Sequence, residues 1–232
     1  LTHRLVKGQA VQVDAQGHPT SEMAAERSRF VGLGRASMGL GSQPGNGPVI
    51  FDREFEKPYQ PDGSWKQANG AGNGTLVGSR WRFEESAGIT RNFSPFQENR
   101  TPAREGRQHA LIQATGSISQ TIGGFEPGNT YTISLLTMAR QGQDFGNDLE
   151  VLLNAGQPSE LRLLDISEVT HDSFQVIESD PFVPDLDTYE LTIRASLDDG
   201  ALTGDRTTFV DYIWFNHVAT PSKPMAKKTA QE

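Results

Sequence analysis

From residue 49 onward, apolar residues alternate with polar ones in short runs separated by glycine, proline and asparagine. A period of two residues predicts β-strands with one buried face. The clearest run is 130–140, in which Tyr131, Ile133 and Leu135 fall in phase. Further strands are predicted at 110–114, 117–122, 149–154, 173–177, 188–196 and 207–215. Many short strands joined by turn residues predict an all-β fold, an antiparallel β-sandwich.

The segment GGFEPGN lies between the predicted strands 117–122 and 130–140. Its Pro127, Gly128 and Asn129 are residue types that favour a tight reversal of the chain. We therefore expect these two strands to form an antiparallel pair.

Both ends of the chain differ from this pattern. Residues 1–48 are polar, then contain a candidate helix at 21–31 with Ser21 as its N-cap, and end in a glycine-rich stretch. They are interpreted as an extension or linker, or as the end of a preceding domain. Residues 49–218 form the predicted sandwich, and 219–232, with Pro221 and Pro224, are interpreted as a solvated tail.

Composition restricts the classes of partner. A length of 232 residues suits one all-β core with extensions. The net charge of -8 argues against nucleic acid, which needs clustered lysine and arginine. No run of about 18 apolar residues is present, so no membrane span is predicted. With no cysteine, neither a disulfide framework nor a thiolate metal site is expected.

Four segments occur in an order that resembles a known family. They are FDREFEKP followed by PDGSW, WRFEESAGITRNFSPF, HALIQATGSISQTIGGFEPGNTYTISLLTMAR and DRTTFVDYIWF. The chain resembles galactose-binding-like jelly-roll carbohydrate-binding modules of secreted bacterial polysaccharide-degrading enzymes. The resemblance implies an extracellular, non-catalytic module that binds polysaccharide and targets an attached or partner enzyme to it. The chain departs from the family pattern at Asp52 and Glu54, and in the charged segment 100–107.

Asp211 is the most informative single residue of the closing strand. It lies in phase with Phe209, Ile213 and Phe215, and the opposite row of that strand is apolar as well. A carboxylate among large apolar side chains is costly unless it is paired or bound to a cation. We therefore expect a specific partner for Asp211.

The resemblance supplies a candidate for that partner. In the modules that the chain resembles, this position binds a structural calcium together with a glutamate of the first strand, which corresponds to Glu56, with Asp52 as a possible third ligand. Calcium prefers six to eight oxygen ligands, which suits carboxylates. The alternative is that Asp211 caps a strand or pairs with Arg206, and that Glu56 is solvated.

A sugar site needs aromatic faces for the ring and planar polar groups for the hydroxyls, held on loops. Trp81 and Trp214 lie inside strand patterns and are predicted to belong to the core. Arg91 and Asn92 are also residues that commonly stabilise loops. The candidate ligand-binding residues are Tyr59, Trp65, Arg91, Asn92, Phe93, Phe96 and Arg140.

Two other function classes stay open. The five histidines are dispersed without zinc-ligand spacing, and no G-x-S-x-G motif is present. A small β-sandwich hydrolase or lyase would need an acidic pair across a cleft, which sequence does not reveal. A structural or adhesion domain would show an exposed apolar patch in place of a sugar-sized hollow.

Overall fold

The structure is a computed structural model, and it describes residues 2–6, 9–13, 48–68, 74–95, 106–140, 146–167, 169, 173–196 and 206–218. The chain divides into two compact units, Leu1–Asn46 and Gly47–Glu232. In the first unit, β1 (Thr2–Val6) pairs antiparallel with β2 (Gln9–Val13). The candidate helix at 21–31 and the tail at 219–232 lie outside the described residues.

The second unit is built from strands in the part of the chain that the structure describes, which contains no helix. These strands are β3 (Trp65–Gln67), β4 (Gly74–Thr75), β5 (Arg82–Glu84), β6 (Ala87–Arg91), β7 (Gln108–Gln113), β8 (Ser117–Gly123), β9 (Thr130–Ala139), β10 (Leu149–Leu153), β11 (Leu161–Ile166), β12 (Gln175–Glu178), β13 (Thr188–Ala195) and β14 (Thr207–Val218). This strand content agrees with the two-residue alternation of apolar and polar residues in the sequence.

The strands form two six-stranded antiparallel sheets with a shared core. One has the order β11-β10-β13-β8-β5-β4, and the other has the order β12-β9-β14-β7-β6-β3. The first sheet contributes Ile118, Val151 and Ile193 to the core, and the second contributes Ile112 and Leu135, all fully buried. The all-β sandwich predicted from the alternation is confirmed.

The predicted strands are present with ends that differ by a few residues, but one predicted pairing is wrong. The strands on either side of GGFEPGN, β8 and β9, do not pair with each other. β8 pairs with β5 and β13 in one sheet, and β9 pairs with β12 and β14 in the other. The turn residues Pro127 and Gly128 therefore carry the chain across the sandwich instead of closing a hairpin.

The unbroken alternation expected along the closing strand, with Asp211 in phase with Ile213 and Phe215, is also wrong, because β14 contains a bulge. Its register against β9 shifts between Asp211 and Trp214. Val210, Ile213 and Phe215 belong to the core cluster. Asp211 therefore does not share a face with Ile213 and Phe215, since an extra residue inverts the side-chain alternation that follows it.

Candidate functional site

The segment that enters the sandwich is shaped by a tight turn at Asp52. The carboxylate of Asp52 accepts hydrogen bonds from the backbone amides of Glu56 and Lys57, at 2.9 and 3.2 Å. Its backbone oxygen accepts one from Trp81 Nε1 at 3.0 Å, and the Trp81 ring packs on Phe55 with centroids 5.1 Å apart. Both rings are fully buried, so the turn is anchored in the core.

Glu56 and Gln108 then fix the next residues against β7. Glu56 Oε1 accepts hydrogen bonds from the amides of Arg107 and Gln108, at 2.6 and 2.8 Å. The buried side chain of Gln108 accepts from the Gln60 amide at 2.5 Å and donates to the backbone oxygen of Phe55 at 2.8 Å. These contacts hold residues 55–60 in one path and so determine where Tyr59 stands.

Three exposed aromatic side chains lie on adjoining backbone segments at this end of the sandwich. Tyr59 is 69% exposed, Trp65 is 42% exposed and Phe93 is 71% exposed. The segments that carry them are joined by a 3.0 Å hydrogen bond from the Arg91 amide to the Ser64 backbone oxygen. Exposed rings on a fixed backbone suit stacking against an apolar ligand face.

Arg91 contacts one of these rings, Tyr59. Its guanidinium lies over the Tyr59 ring, 4.6 Å from the centroid, and pairs with the carboxylate of Asp62. The Arg91 side chain is 2% exposed, whereas the Asp62 side chain is 76% exposed. A cation on an aromatic face contributes about 0.5–1 kcal/mol or more when it is desolvated. Arg91 therefore holds Tyr59 in place, and Asp62 is the polar group that the cluster presents to solvent.

The remaining predicted ligand residues do not all lie at this end of the sandwich. Asn92 is buried, and its backbone N–H donates a hydrogen bond to the Arg107 backbone oxygen at 2.9 Å. Arg140 follows β9 and donates to the Thr207 backbone oxygen, next to Gln113 at the far end of β7 from Arg91. Six residues of strand separate these ends by roughly 17 Å. Phe96 lies outside the described residues.

The predicted core tryptophans differ from each other. Trp81 is fully buried, as predicted. Trp214 is half-buried and lies against Tyr212, with ring centroids 5.3 Å apart. It follows the bulge of β14, which removes it from the simple alternation.

The three predicted calcium ligands, Asp52, Glu56 and Asp211, accept hydrogen bonds from different backbone amides. Asp211 is fully buried, and its Oδ1 accepts the Tyr212 amide at 2.8 Å, within the β14 bulge. Burial raises the pKa of Asp52 to about 6, although its bonds from two backbone amides act in the opposite direction. Among the described residues, no group of three histidine, aspartate or glutamate side chains is arranged to hold a metal ion. Calcium at Asp52, Glu56 and Asp211 therefore stays a prediction.

Two residues that organise the site were missed from sequence. Gln108 lies in a strand run as an ordinary polar residue, and its role depends on a segment 48 positions away. Asp62 sits in the turn PDG, a turn signal that conceals its ion pair with Arg91. The sequence shows a carboxylate in a turn and an arginine at the end of a strand, but only the fold shows that the two form an ion pair.

No family model matches the chain, and no curated protein matches it in sequence. Solved structures do resemble it. The Stig cyclase Fisc from Fischerella sp. TAU, in complex with (3Z)-3-(1-methyl-2-pyrrolidinylidene)-3H-indole, has a TM-score of 0.50 at 16% identity, covering 73% of this chain and 96% of its own. The CBM22-1 xylan-binding domain of Xyn10C from Paenibacillus barcinonensis has 0.43 at 12% identity, covering 60% and 86%.

TmCBM61 in complex with β-1,4-galactotriose has a TM-score of 0.42 at 13% identity, covering 60% of this chain and 90% of its own. The chain resembles carbohydrate-binding modules in fold. The resemblance drawn from the sequence is confirmed at that level, and identities this low show the fold alone. Within the described residues, no helix is long and apolar enough to cross a membrane.

Proposed function

We propose that the chain is an extracellular carbohydrate-binding module that holds a polysaccharide at the aromatic cluster formed by Tyr59, Trp65 and Phe93. The observation that carries the proposal is the exposure of these three rings on hydrogen-bonded segments of a rigid sandwich. Large rings have few rotatable bonds, so presenting them costs little conformational entropy on binding. In this role the module brings an attached or partner enzyme to its substrate, raising the local concentration.

The charge at the cluster favours a neutral glycan. The Arg91 cation is buried and paired with Asp62, so the pair presents no net positive charge to a ligand. Asp62 is largely exposed, and its carboxylate is suited to accept hydrogen bonds from sugar hydroxyls. A sulfated or uronic acid polymer would meet this carboxylate and the net charge of -8. We therefore expect binding that changes little with ionic strength.

A glycan array probed with the full chain, followed by calorimetric titration of the best binder, tests the proposal. Trp65→Ala and Tyr59→Ala should each weaken binding about tenfold, the loss expected for one aromatic contact and its buried area. The matched control is Phe51→Ala, because Phe51 is 54% exposed but lies against Arg80 and Gln120 instead of the cluster. Absence of binding to every glycan, or an equal loss in the Phe51 variant, would contradict the proposal.

A further inference from the structure

The sheet β12-β9-β14-β7-β6-β3 is buried on both faces at its centre. On β7, Ala110 and Ile112 enter the core cluster, so His109 and Leu111 point to the opposite face. The same alternation places Leu136 and Met138 of β9 on that outer face. The fully buried side chains of the outer face include the apolar Leu111, Leu136, Met138 and Phe209 and the polar Thr90, His109, Ser134, Thr207 and Asp211.

Two ionisable residues of this outer face lie opposite each other on neighbouring strands. Phe209 pairs with Leu111 and Val210 with Ala110. The next position in the same register sets Asp211 opposite His109, immediately before the bulge. Residues opposite each other on antiparallel strands have their Cβ atoms about 4.5–5.5 Å apart and share a face. His109 and Asp211 are therefore neighbours in an apolar setting.

Aromatic rings surround His109 in the part of the chain that the structure describes. Its ring meets the rings of Phe209 and Phe174 edge-on, with centroids 4.8 and 5.4 Å apart. Among the described residues, neither Nδ1 nor Nε2 has a hydrogen-bond partner. Burial lowers the pKa of His109 to about 3, so the imidazole is neutral and keeps one N–H donor and one acceptor nitrogen. Buried polar groups in native proteins nearly always have partners, because a buried group without one loses its hydrogen bonds to water and gains none in return.

We propose that His109 is the polar anchor of a second ligand site on the outer face, which takes a small apolar ring compound carrying a single hydroxyl or N–H group. The buried leucine, methionine and phenylalanine side chains favour an apolar body. The acceptor nitrogen of His109 receives the hydrogen bond of the single polar group. A sugar, with hydroxyls around its whole ring, does not suit the apolar part of this lining. The inference does not rest on the proposed glycan site, although Trp65 lies two strands from His109 in the same sheet.

Phenol and toluene test the site, because they share a ring and differ by a hydroxyl in place of a methyl group. By calorimetric or NMR titration, the wild-type chain should bind phenol about tenfold more tightly than toluene, the value of one hydrogen bond to a buried acceptor. His109→Phe keeps a ring but removes both nitrogens, and should bind phenol no more tightly than toluene, because a buried hydroxyl without a partner is costly. Equal binding by the wild type, an unchanged preference in the variant, or no binding of either compound would overturn the proposal.

A second measurement uses the wild type alone and so does not depend on folding of the variant. With ¹⁵N-labelled histidine, phenol should shift the unprotonated ring nitrogen of His109 upfield, whereas toluene should leave it unchanged. His217, which is exposed and meets the Tyr131 ring edge-on, serves as the internal reference. A His109 resonance that does not respond to phenol would overturn the assignment of the anchor.

Discussion

Gly106 leaves the space that the carboxylate of Glu56 occupies. A Cβ atom built on Gly106 would overlap Oε1 of Glu56, and the residue has a φ of +73°, in the left-handed region. Glu56 can therefore reach the amides of Arg107 and Gln108 only because glycine precedes them. The opening segment is fastened to β7 at this point, next to the residues that position Tyr59.

Gly106→Ala should lower the free energy of unfolding by about 2–4 kcal/mol, because it adds a steric clash with Glu56 to the cost of a positive φ. Gly128→Ala is the control, since Gly128 has a φ of +88° with nothing within 4 Å of its added Cβ. It should cost only about 1 kcal/mol. Urea unfolding of both variants measures the difference, and equal losses would contradict the role assigned to Glu56.

Gln108→Leu should destabilise the protein by about 2–4 kcal/mol and also weaken glycan binding. The change keeps the side-chain volume but leaves the Gln60 amide and the Phe55 backbone oxygen without their partner. Residues 55–60 would then lose the clamp that places Tyr59. Denaturant unfolding and calorimetric titration measure the two effects. Gln175→Leu, at an exposed position of the same sheet, should change neither.

The strand positions could be predicted because most strands bury one face and so alternate. The predictions fail where a residue interrupts that rule. At Asp211 the bulge lets Val210 and Ile213 both reach the core, which explains why both rows of this strand look apolar. The turn after β8 contains residue types that favour a hairpin. Which sheet each flanking strand joins depends on contacts distant in sequence, and Pro127 and Gly128 do not determine it.

The candidate site could be predicted only in part. Loop position identified Tyr59, Trp65 and Phe93, because a large ring beside turn residues has little core to enter. For Arg91 the sequence left a ligand contact and a loop-stabilising role open, and the structure shows its side chain buried against Asp62 and Tyr59. Residue type shows which hydrogen bonds and ion pairs a side chain can form. Whether its partner is a ligand or another residue depends on where the strand end points the side chain.

Calcium binding is expected to raise the midpoint of thermal unfolding if the predicted cation site exists. A cation at a hundredfold excess over its dissociation constant would stabilise by about 2.7 kcal/mol. The test compares wild type, Glu56→Gln and Asp211→Asn, each with calcium and with chelator. The wild type should respond and both variants should not. A wild-type midpoint that is the same in both conditions would contradict the prediction and leave these carboxylates as acceptors for backbone amides.

Stability should fall as pH rises from about 4 to 6, through ionisation of Asp52. Burial raises the pKa of Asp52 from its ordinary 3.8 to about 6, so the folded protein binds this proton more tightly than the unfolded chain does. The stabilisation is fully present below the unfolded value and is lost above the folded one. After allowance for solvent screening, the loss is on the order of 1 kcal/mol.

Asp52→Asn isolates this contribution from other groups that titrate in the same range. The asparagine oxygen can still accept the Glu56 amide, but the side chain no longer ionises. Urea unfolding at pH 4, 5, 6 and 7 should show that the difference in stability between Asp52→Asn and wild type grows with pH up to about 6 and then stays constant. Asp180→Asn, at an exposed carboxylate, is the control. A difference that is flat across this range would show that Asp52 ionises as freely in the folded protein as in the unfolded chain.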